Sequence, residues 1–224
     1  MAGGLGTRLR NLVSDVPKPM APVAGRPFLE ILLAELQRKG VMHVVLSVGY
    51  RGDQIVSHFG SRFGALDITY VSEKQPLGTG GAIRLGLTQC VNDHALIFNG
   101  DTFLDIEAAD LELMWQTHRR PILVAREVED TANFGRLLLE GGRVVGFTEK
   151  GVCGPGLINA GCYVFGNHQL DSFPLHTPFS IERDYFQKAL SRIHFDVFRS
   201  RGLFIDMGVP DEYLRANELF AGRV

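Results

Sequence analysis

Short valine- and isoleucine-rich runs alternate with amphipathic helical segments through the first 120 residues, and this alternation restricts the fold more than any other feature. The runs "HVVLSV", "LDITYVSE" and "ALIFNGD" have the apolar character of strands buried on both faces. Between them, "FLEILLAELQRKG" carries Phe28, Leu29, Leu32, Leu33 and Leu36 at helical spacing, with Gly40 as its stop. "GDQIVSHFG" reads as a helix with Asp53 near its cap, and another helix follows "PLGTGG" as far as about Cys90. Such a sequence predicts an α/β chain with a mostly parallel sheet covered by helices on both sides.

From Pro121 the pattern changes. "PILVAREV", "FGRLLLE", "RVVGFTE" and "LINAGCYVF" are strands joined by short turns, which predicts antiparallel additions. A helix around "SIERDYFQKALSR", the strands "HFDVFRS" and "LFID", and a closing helix from Asp211 complete the chain. No repeat or low-complexity linker divides it, so the expectation is one domain over residues 1–224, built around one sheet. Its halves are a nucleotide-binding part (1–120) and a second part (121–224).

Charge and cysteine usage narrow the function. With 45% hydrophobic and 21% charged residues and a formal net charge of -2, nothing electrostatic suggests nucleic acid. No apolar run approaches the ~20 residues of a membrane span, and no secretory signal opens the chain. Cys90, Cys153 and Cys162 are odd in number, which favours reduced thiols and a cytoplasmic protein. Cys153 and Cys162 are candidates to face one another across a hairpin, with metal binding there disfavoured. The seven histidines are scattered without ligand spacing, and Trp115 reads as core.

In a sheet of this kind ligands gather at the C-terminal strand ends. Here those ends carry Glu73 with "PLGTGG", then "NGD", "TEK", "INAG" and "FIDMG". The chain also opens on "MAGGLGTRLR". Ala2, Gly3, Gly4 and Gly6 would let backbone N–H groups approach a phosphate, while Thr7 adds a hydroxyl and Arg8 a charged fork. The spacing matches neither the P-loop nor the dinucleotide glycine motif, and a plain glycine turn is the competing reading. In "DVPKPMAP", Pro17 and Pro19 stiffen the backbone around Lys18, as would suit a lysine aimed at a phosphate.

G-G-x-G-T-R followed by P-K-P-M resembles the signature of the sugar-nucleotide pyrophosphorylases. The resemblance runs nearly end to end through "PLGTGGA", "NGD", "TEK", "NAG" and "FIDMGVPDEYLRAN". Within that family, "EKQPLGTGGAI", "FNGDTFLDI" and "FSIERDYF" are most similar to the heptose 1-phosphate guanylyltransferases. The resemblance implies a Rossmann-like three-layer α/β/α nucleotide-diphospho-sugar transferase fold. It also implies transfer of a nucleotidyl group from a nucleoside triphosphate to a sugar 1-phosphate, with pyrophosphate released, for surface polysaccharide or S-layer glycan synthesis. Mg2+ is the implied cofactor, held by Asp101 and Asp206. Arg8, Lys18, Asp101 and Lys150 are the implied catalytic groups. Pro76, Gly78, Thr79 and Gly100 join the glycine loop in binding nucleotide. Gly135, Glu149, Lys150 and Asn159 are implied on the sugar-phosphate side, where Asp184 is a further candidate.

Each residue has a plainer reading beside this one. An aspartate after a strand often caps a helix or turn, and Glu149-Lys150 could be an exposed pair at a hairpin end. Family members often carry proline where Gly151 stands, which leaves the local loop geometry open. Glu73 supports a separate inference: a carboxylate accepts the adjacent N1–H and N2–H₂ donors of guanine, which favours GTP. A mannose 1-phosphate guanylyltransferase, a uridylyltransferase, a glycosyltransferase and a non-catalytic regulatory homologue are the alternatives, and a homo-oligomer is left open. "DTFLD" spaces Asp101 and Asp105 too widely for the Asp-x-Asp metal motif of glycosyltransferases. Finally, relatives carry an apolar strand of roughly six residues before the glycine loop, a usual strand length. Here Met1-Ala2 stands in its place, and the expectation is that upstream residues are absent or that the first strand is supplied otherwise.

Overall fold

The computed structural model of the chain describes residues 1–2, 16–208 and 210–222. After a one-turn 3-10 helix at Lys18–Met20, a small ribbon of β1 (Pro22–Val23) and β2 (Arg26–Pro27) leads into α1 (Phe28–Arg38). The first half continues with β3 (His43–Val48), α2 (Gly52–Phe59), β4 (Arg62–Phe63), β5 (Leu66–Ser72), α3 (Gly78–Leu87), β6 (His94–Phe98), β7 (Thr102–Leu104) and α4 (Ala108–His118). The second half holds β8 (Ile122–Val128), β9 (Leu137–Glu140), β10 (Arg143–Phe147), β11 (Gly156–Gly166) and a π-helical turn at Ile181–Phe186. There follow α5 (Gln187–Ala189), β12 (Asp196–Ser200), β13 (Phe204–Asp206) and α6 (Pro210–Phe220).

The segments expected from apolar periodicity all form, and Gly40 ends α1 in the left-handed conformation at φ +84°. The expected mix of parallel and antiparallel pairing is present, but the strands are divided among several sheets rather than one. The described strands form two larger sheets, β12-β8-β11-β6 and β3-β5-β4, with separate two-stranded ribbons. β3 pairs parallel with β5 and β12 parallel with β8, while β11 runs antiparallel to both β6 and β8. Between β3 and β6 only Met1 and Ala2 bridge the two sheets among the described residues. Ala2 N donates to Ser47 O at 2.7 Å, and the Met1 nitrogen donates to Phe98 O at 2.8 Å.

The main core lies against β11, where Tyr163, Phe165, Phe186 and Phe195 are fully buried. Phe165 meets Phe195 edge-on at 6.5 Å, Tyr163 meets Phe186 at a tilt at 5.4 Å, and Tyr163 stacks on Phe165 at 5.5 Å between centroids. A regular helix was expected over 180–192, yet its first turns are π-helical. The buried residues Ile181, Tyr185 and Phe186 stand four and five positions apart. The wider i→i+5 turn directs both rings into the same core.

The cysteines are all free. Cys162 lies buried in β11 opposite Phe98 of β6, and Cys153 is exposed in a loop, so the two do not face one another across a hairpin. Trp115 is buried as expected and stacks on His94 at 4.8 Å. No helix among the described residues is long and apolar enough to cross a membrane.

Candidate active site

Two short pieces of chain meet at the strand ends. The 3-10 helix starts after Pro17, which is extended at φ -64° and ψ 148°, and both Pro17 and Pro19 are buried. Fixed between them, the Lys18 side chain is 10% exposed and its Nζ lies 2.5 Å from Asp101 Oδ2. Asp101 keeps 36% of its side chain exposed, so the carboxylate remains accessible to solvent beside the largely buried ammonium.

A two-stranded ribbon brings the second carboxylate alongside. β13 pairs antiparallel with β7, placing Asp206 opposite Thr102, the residue after Asp101. Met207 N donates to Asp101 O at 2.8 Å, and Gly208 N donates to Asp206 Oδ1 at 2.7 Å. Two aspartates separated by more than a hundred residues are therefore neighbours at one end of the sheet. Gly100, just before Asp101, faces the backbone of Met1, and a Cβ added there would lie 2.1 Å from Met1 O. Its lack of a side chain serves that close approach.

On one side of this pair lies the loop of residues 73–81. Glu73 braces it: Oε1 accepts from Ser47 Oγ at 2.9 Å and Oε2 accepts from Leu77 N at 3.0 Å. Each oxygen keeps further lone-pair capacity. The glycines that open α3 are needed for packing. Gly78 is left-handed at φ +69°, and a Cβ on it would meet Phe179 O at 2.6 Å. Gly80 lies against the Phe179 ring and donates its N–H to Phe179 O at 3.0 Å. Thr79 accepts from Ile181 N at 2.9 Å and donates to Glu182 Oε2 at 3.1 Å, joining this loop to the π-helical turn.

On the other side is a cavity of about 540 Å³. Gly135, Glu149, Lys150 and Asn159 line it together with Glu182 and Asp206. The Asn159 amide spans a bulge in β11: Nδ2 donates to Tyr163 OH at 2.8 Å and Oδ1 accepts from Gly161 N at 3.0 Å. Burial holds the Tyr163 phenol far above its ordinary range, so that hydroxyl stays protonated. Gly135 is required by the hairpin, where a Cβ would lie 2.7 Å from Thr148 O. Glu149 and Lys150 are exposed at the cavity. Gly151 adopts φ +95° and donates to Ala132 O at 3.0 Å. Proline offers neither that dihedral nor that donor, which gives the physical reason for glycine after Lys150.

This geometry coincides with what comparison finds. Residues 1–222 match the nucleotidyl transferase family. The chain belongs to that family. D-glycero-alpha-D-manno-heptose 1-phosphate guanylyltransferase of Aneurinibacillus thermoaerophilus is 36% identical over 97% of this chain and 95% of its own length. The crystal structure of HddC from Yersinia pseudotuberculosis complexed with GMP-PN superposes with a TM-score of 0.87 at 32% identity, covering 98% of this chain and 96% of that one. Mannose-1-phosphate guanylyltransferase of Mycobacterium tuberculosis is 38% identical over 97% of this chain, which spans 62% of that longer protein.

Of the sites expected in this nucleotidyl transferase, Gly3, Gly4, Gly6, Thr7 and Arg8 lie outside the described residues. Ala2 borders Gly100, and Lys18, Asp101 and Asp206 converge. Asp184 does not line the cavity; its Oδ2 accepts from Ser180 N at 2.7 Å, closing the start of the π-helical turn. Glu182, two residues earlier, is the acidic side chain of that segment that reaches the cavity. Glu182 was not among the site residues expected from the sequence. A regular helix would not have told the two apart, because the deciding partner is Thr79, 103 positions away.

Proposed function

We propose that this nucleotidyl transferase joins GTP to a heptose 1-phosphate, giving the GDP-sugar and pyrophosphate. The observation that carries the reading is the Lys18–Asp101 pair with Asp206 across the β7–β13 ribbon, set between the braced 73–81 loop and the cavity at Lys150. The nearly full-length likeness to a heptose 1-phosphate guanylyltransferase supports the choice of substrates.

The attacking sugar phosphate is already an anion at neutral pH, so no general base is required. The protein has to hold two anions in line and offset their repulsion, which is the main task in phosphoryl and nucleotidyl transfer. Lys18 supplies fixed positive charge at the nucleotide phosphates, and Lys150 supplies it from the cavity wall to the sugar phosphate.

Asp101 and Asp206 fit a magnesium ion. Both are hard oxygen donors, and the seating of the Lys18 ammonium on Asp101 marks a place that favours a cation. No group of three His, Cys, Asp or Glu side chains among the described residues is arranged to hold a metal by itself. That suits an ion that completes its shell with substrate phosphates and water. When bound, it supplies charge neutralisation at the reacting phosphate.

The choice of base rests on Glu73. Its remaining lone pairs can take the N1–H and N2–H₂ of guanine, whereas uracil and thymine offer no such adjacent donors. Glu73→Gln preserves the loop, because the amide oxygen can accept from Leu77 N while its NH₂ donates to Ser47. The preference for GTP over UTP is expected to fall about tenfold, the worth of one charge-assisted hydrogen bond. Unchanged preference would remove Glu73 from base selection. A panel of nucleoside triphosphates against heptose and mannose 1-phosphates, scored by nucleotide-sugar formed, tests the whole reading. Best turnover with GTP and a heptose 1-phosphate supports it, while best turnover with mannose 1-phosphate favours the activity named for the Mycobacterium relative.

A further inference from the structure

One carboxylate in the 540 Å³ cavity is held at one oxygen and open at the other. Glu182 Oε2 accepts from Ser180 Oγ at 2.9 Å and from Thr79 Oγ1 at 3.1 Å. Ser180 is itself fixed, because its N–H donates to Asp184 Oδ2 at 2.7 Å and its Oγ accepts from Arg183 N at 3.3 Å. Thr79 is fixed by the Ile181 N–H, which it accepts at 2.9 Å. Two hydroxyls from distant segments therefore aim their protons at the same oxygen.

Glu182 Oε1 meets no hydrogen-bond donor among the described residues. A strut between Thr79 and Ser180 needs one acceptor atom, which a neutral amide oxygen would supply. A carboxylate offers about four lone-pair sites on two oxygens, so half of its capacity is left for something else. The charge also has a cost here. Glu149 and Asp206 line the same cavity, with Lys150 and Arg183 as its cations. Carboxylates that share a site repel one another, and a purely structural strut would avoid adding a further one. Nor does Glu182 point away from the cavity. Tyr163 lines it too, and after burial the Glu182 charge is the next cause that raises the Tyr163 phenol above its ordinary range.

We propose that Glu182 is a substrate-binding residue whose Oε1 accepts a hydrogen bond from a hydroxyl of the sugar. The chemistry selects the group. A phosphate would be repelled by this carboxylate, whereas a sugar hydroxyl is an uncharged donor whose bond to a carboxylate is charge-assisted. The phosphate accordingly belongs toward Lys150 and the rest of the sugar toward Glu182. Because two hydroxyls pin Oε2, Oε1 is oriented before the sugar arrives, and little side-chain freedom is lost on binding. The inference rests on the reading that this cavity receives the sugar 1-phosphate.

The test pairs Glu182→Gln with deoxy analogues of whichever sugar 1-phosphate the parent turns over best. The amide oxygen can still accept from Thr79 and Ser180, which turns the NH₂ toward the cavity in place of Oε1. KM for the sugar phosphate should rise about 10–100-fold, with kcat and KM for GTP within about threefold of the parent. One deoxy analogue should cost the parent a similar factor. That penalty should shrink in Glu182→Gln, because the charge that made it large is gone.

An unchanged KM for the sugar phosphate would overturn the proposal. So would a penalty of equal size in parent and variant for every analogue. A rise in both KM values together with a lower melting temperature would make Glu182 a strut alone, which also overturns it. In each of these cases a parent that turns over the sugar phosphate leaves the proposed function standing. A parent that neither turns over nor binds any sugar 1-phosphate, measured by calorimetry, would overturn both readings.

Discussion

Asp101→Asn is expected to lower turnover by ~10²–10³, the usual consequence of removing one preorganised charge from a reaction centre. Asparagine has the same shape, keeps the turn after β6 and leaves the Met207 N to Asp101 O bond in place, since that bond uses the backbone. What it loses is the charge that holds the Lys18 ammonium at 2.5 Å and that would ligate a metal cation beside Asp206. Some thermal stability should be lost as well, because the Lys18 side chain is only 10% exposed and its ammonium loses the carboxylate charge beside it. Lys18→Ala should reduce turnover by a comparable factor. Because the two groups act as a unit, the double variant should be little worse than either single one. Near-normal pyrophosphate release by Asp101→Asn would remove the aspartate from the reaction.

The largest expected loss of stability comes from a methyl group. Gly78→Ala places a side chain at φ +69°, where alanine is strained, and drives its Cβ to 2.6 Å from Phe179 O. The obstacle is backbone, so it cannot rotate away. Relief would require the 177–181 segment to move, weakening the reciprocal bonds Gly80 N to Phe179 O and Phe179 N to Leu77 O, each 3.0 Å. Strain and lost hydrogen bonds together should cost about 3 kcal/mol, or roughly 6–12 °C in melting temperature for a chain of this size. The Thr79–Glu182 bond lies on the same contact and joins the 73–81 loop to the 540 Å³ cavity. KM for both substrates should therefore rise along with the loss of stability. A variant that melted like the parent would show that the loop can shift without strain.

Local pattern made most elements legible. The run "HVVLSV" is β3 residue for residue, and the apolar spacing in "FLEILLAELQRKG" is α1 with its glycine stop. The convergence of Lys18, Asp101 and Asp206 was readable through resemblance and through the accumulation of carboxylates at strand ends. What stayed hidden were partners far away in sequence. Gly78, Gly100 and Gly135 look alike as candidate backbone contacts to a ligand, yet each makes room for a specific backbone atom of Phe179, Met1 or Thr148. Glu73 reads as a free carboxylate until Ser47 and Leu77 are seen on its two oxygens. Glu182 and Asp184 became separable through Thr79, distant in sequence: both carboxylates reach Ser180, but only Glu182 also accepts from Thr79 and lines the cavity. The strands expected around one sheet are divided among two larger sheets and separate ribbons, and between β3 and β6 only Met1 and Ala2 bridge the edges among the described residues.

The central claim is that one cationic centre joins two anionic substrates, and the most direct measurement is pyrophosphate released by the purified chain from GTP, with and without heptose 1-phosphate, in the presence of magnesium. The account predicts release that requires the sugar phosphate and equals the GDP-sugar formed. Release of phosphate or pyrophosphate from GTP alone, or none with any sugar 1-phosphate, would contradict it.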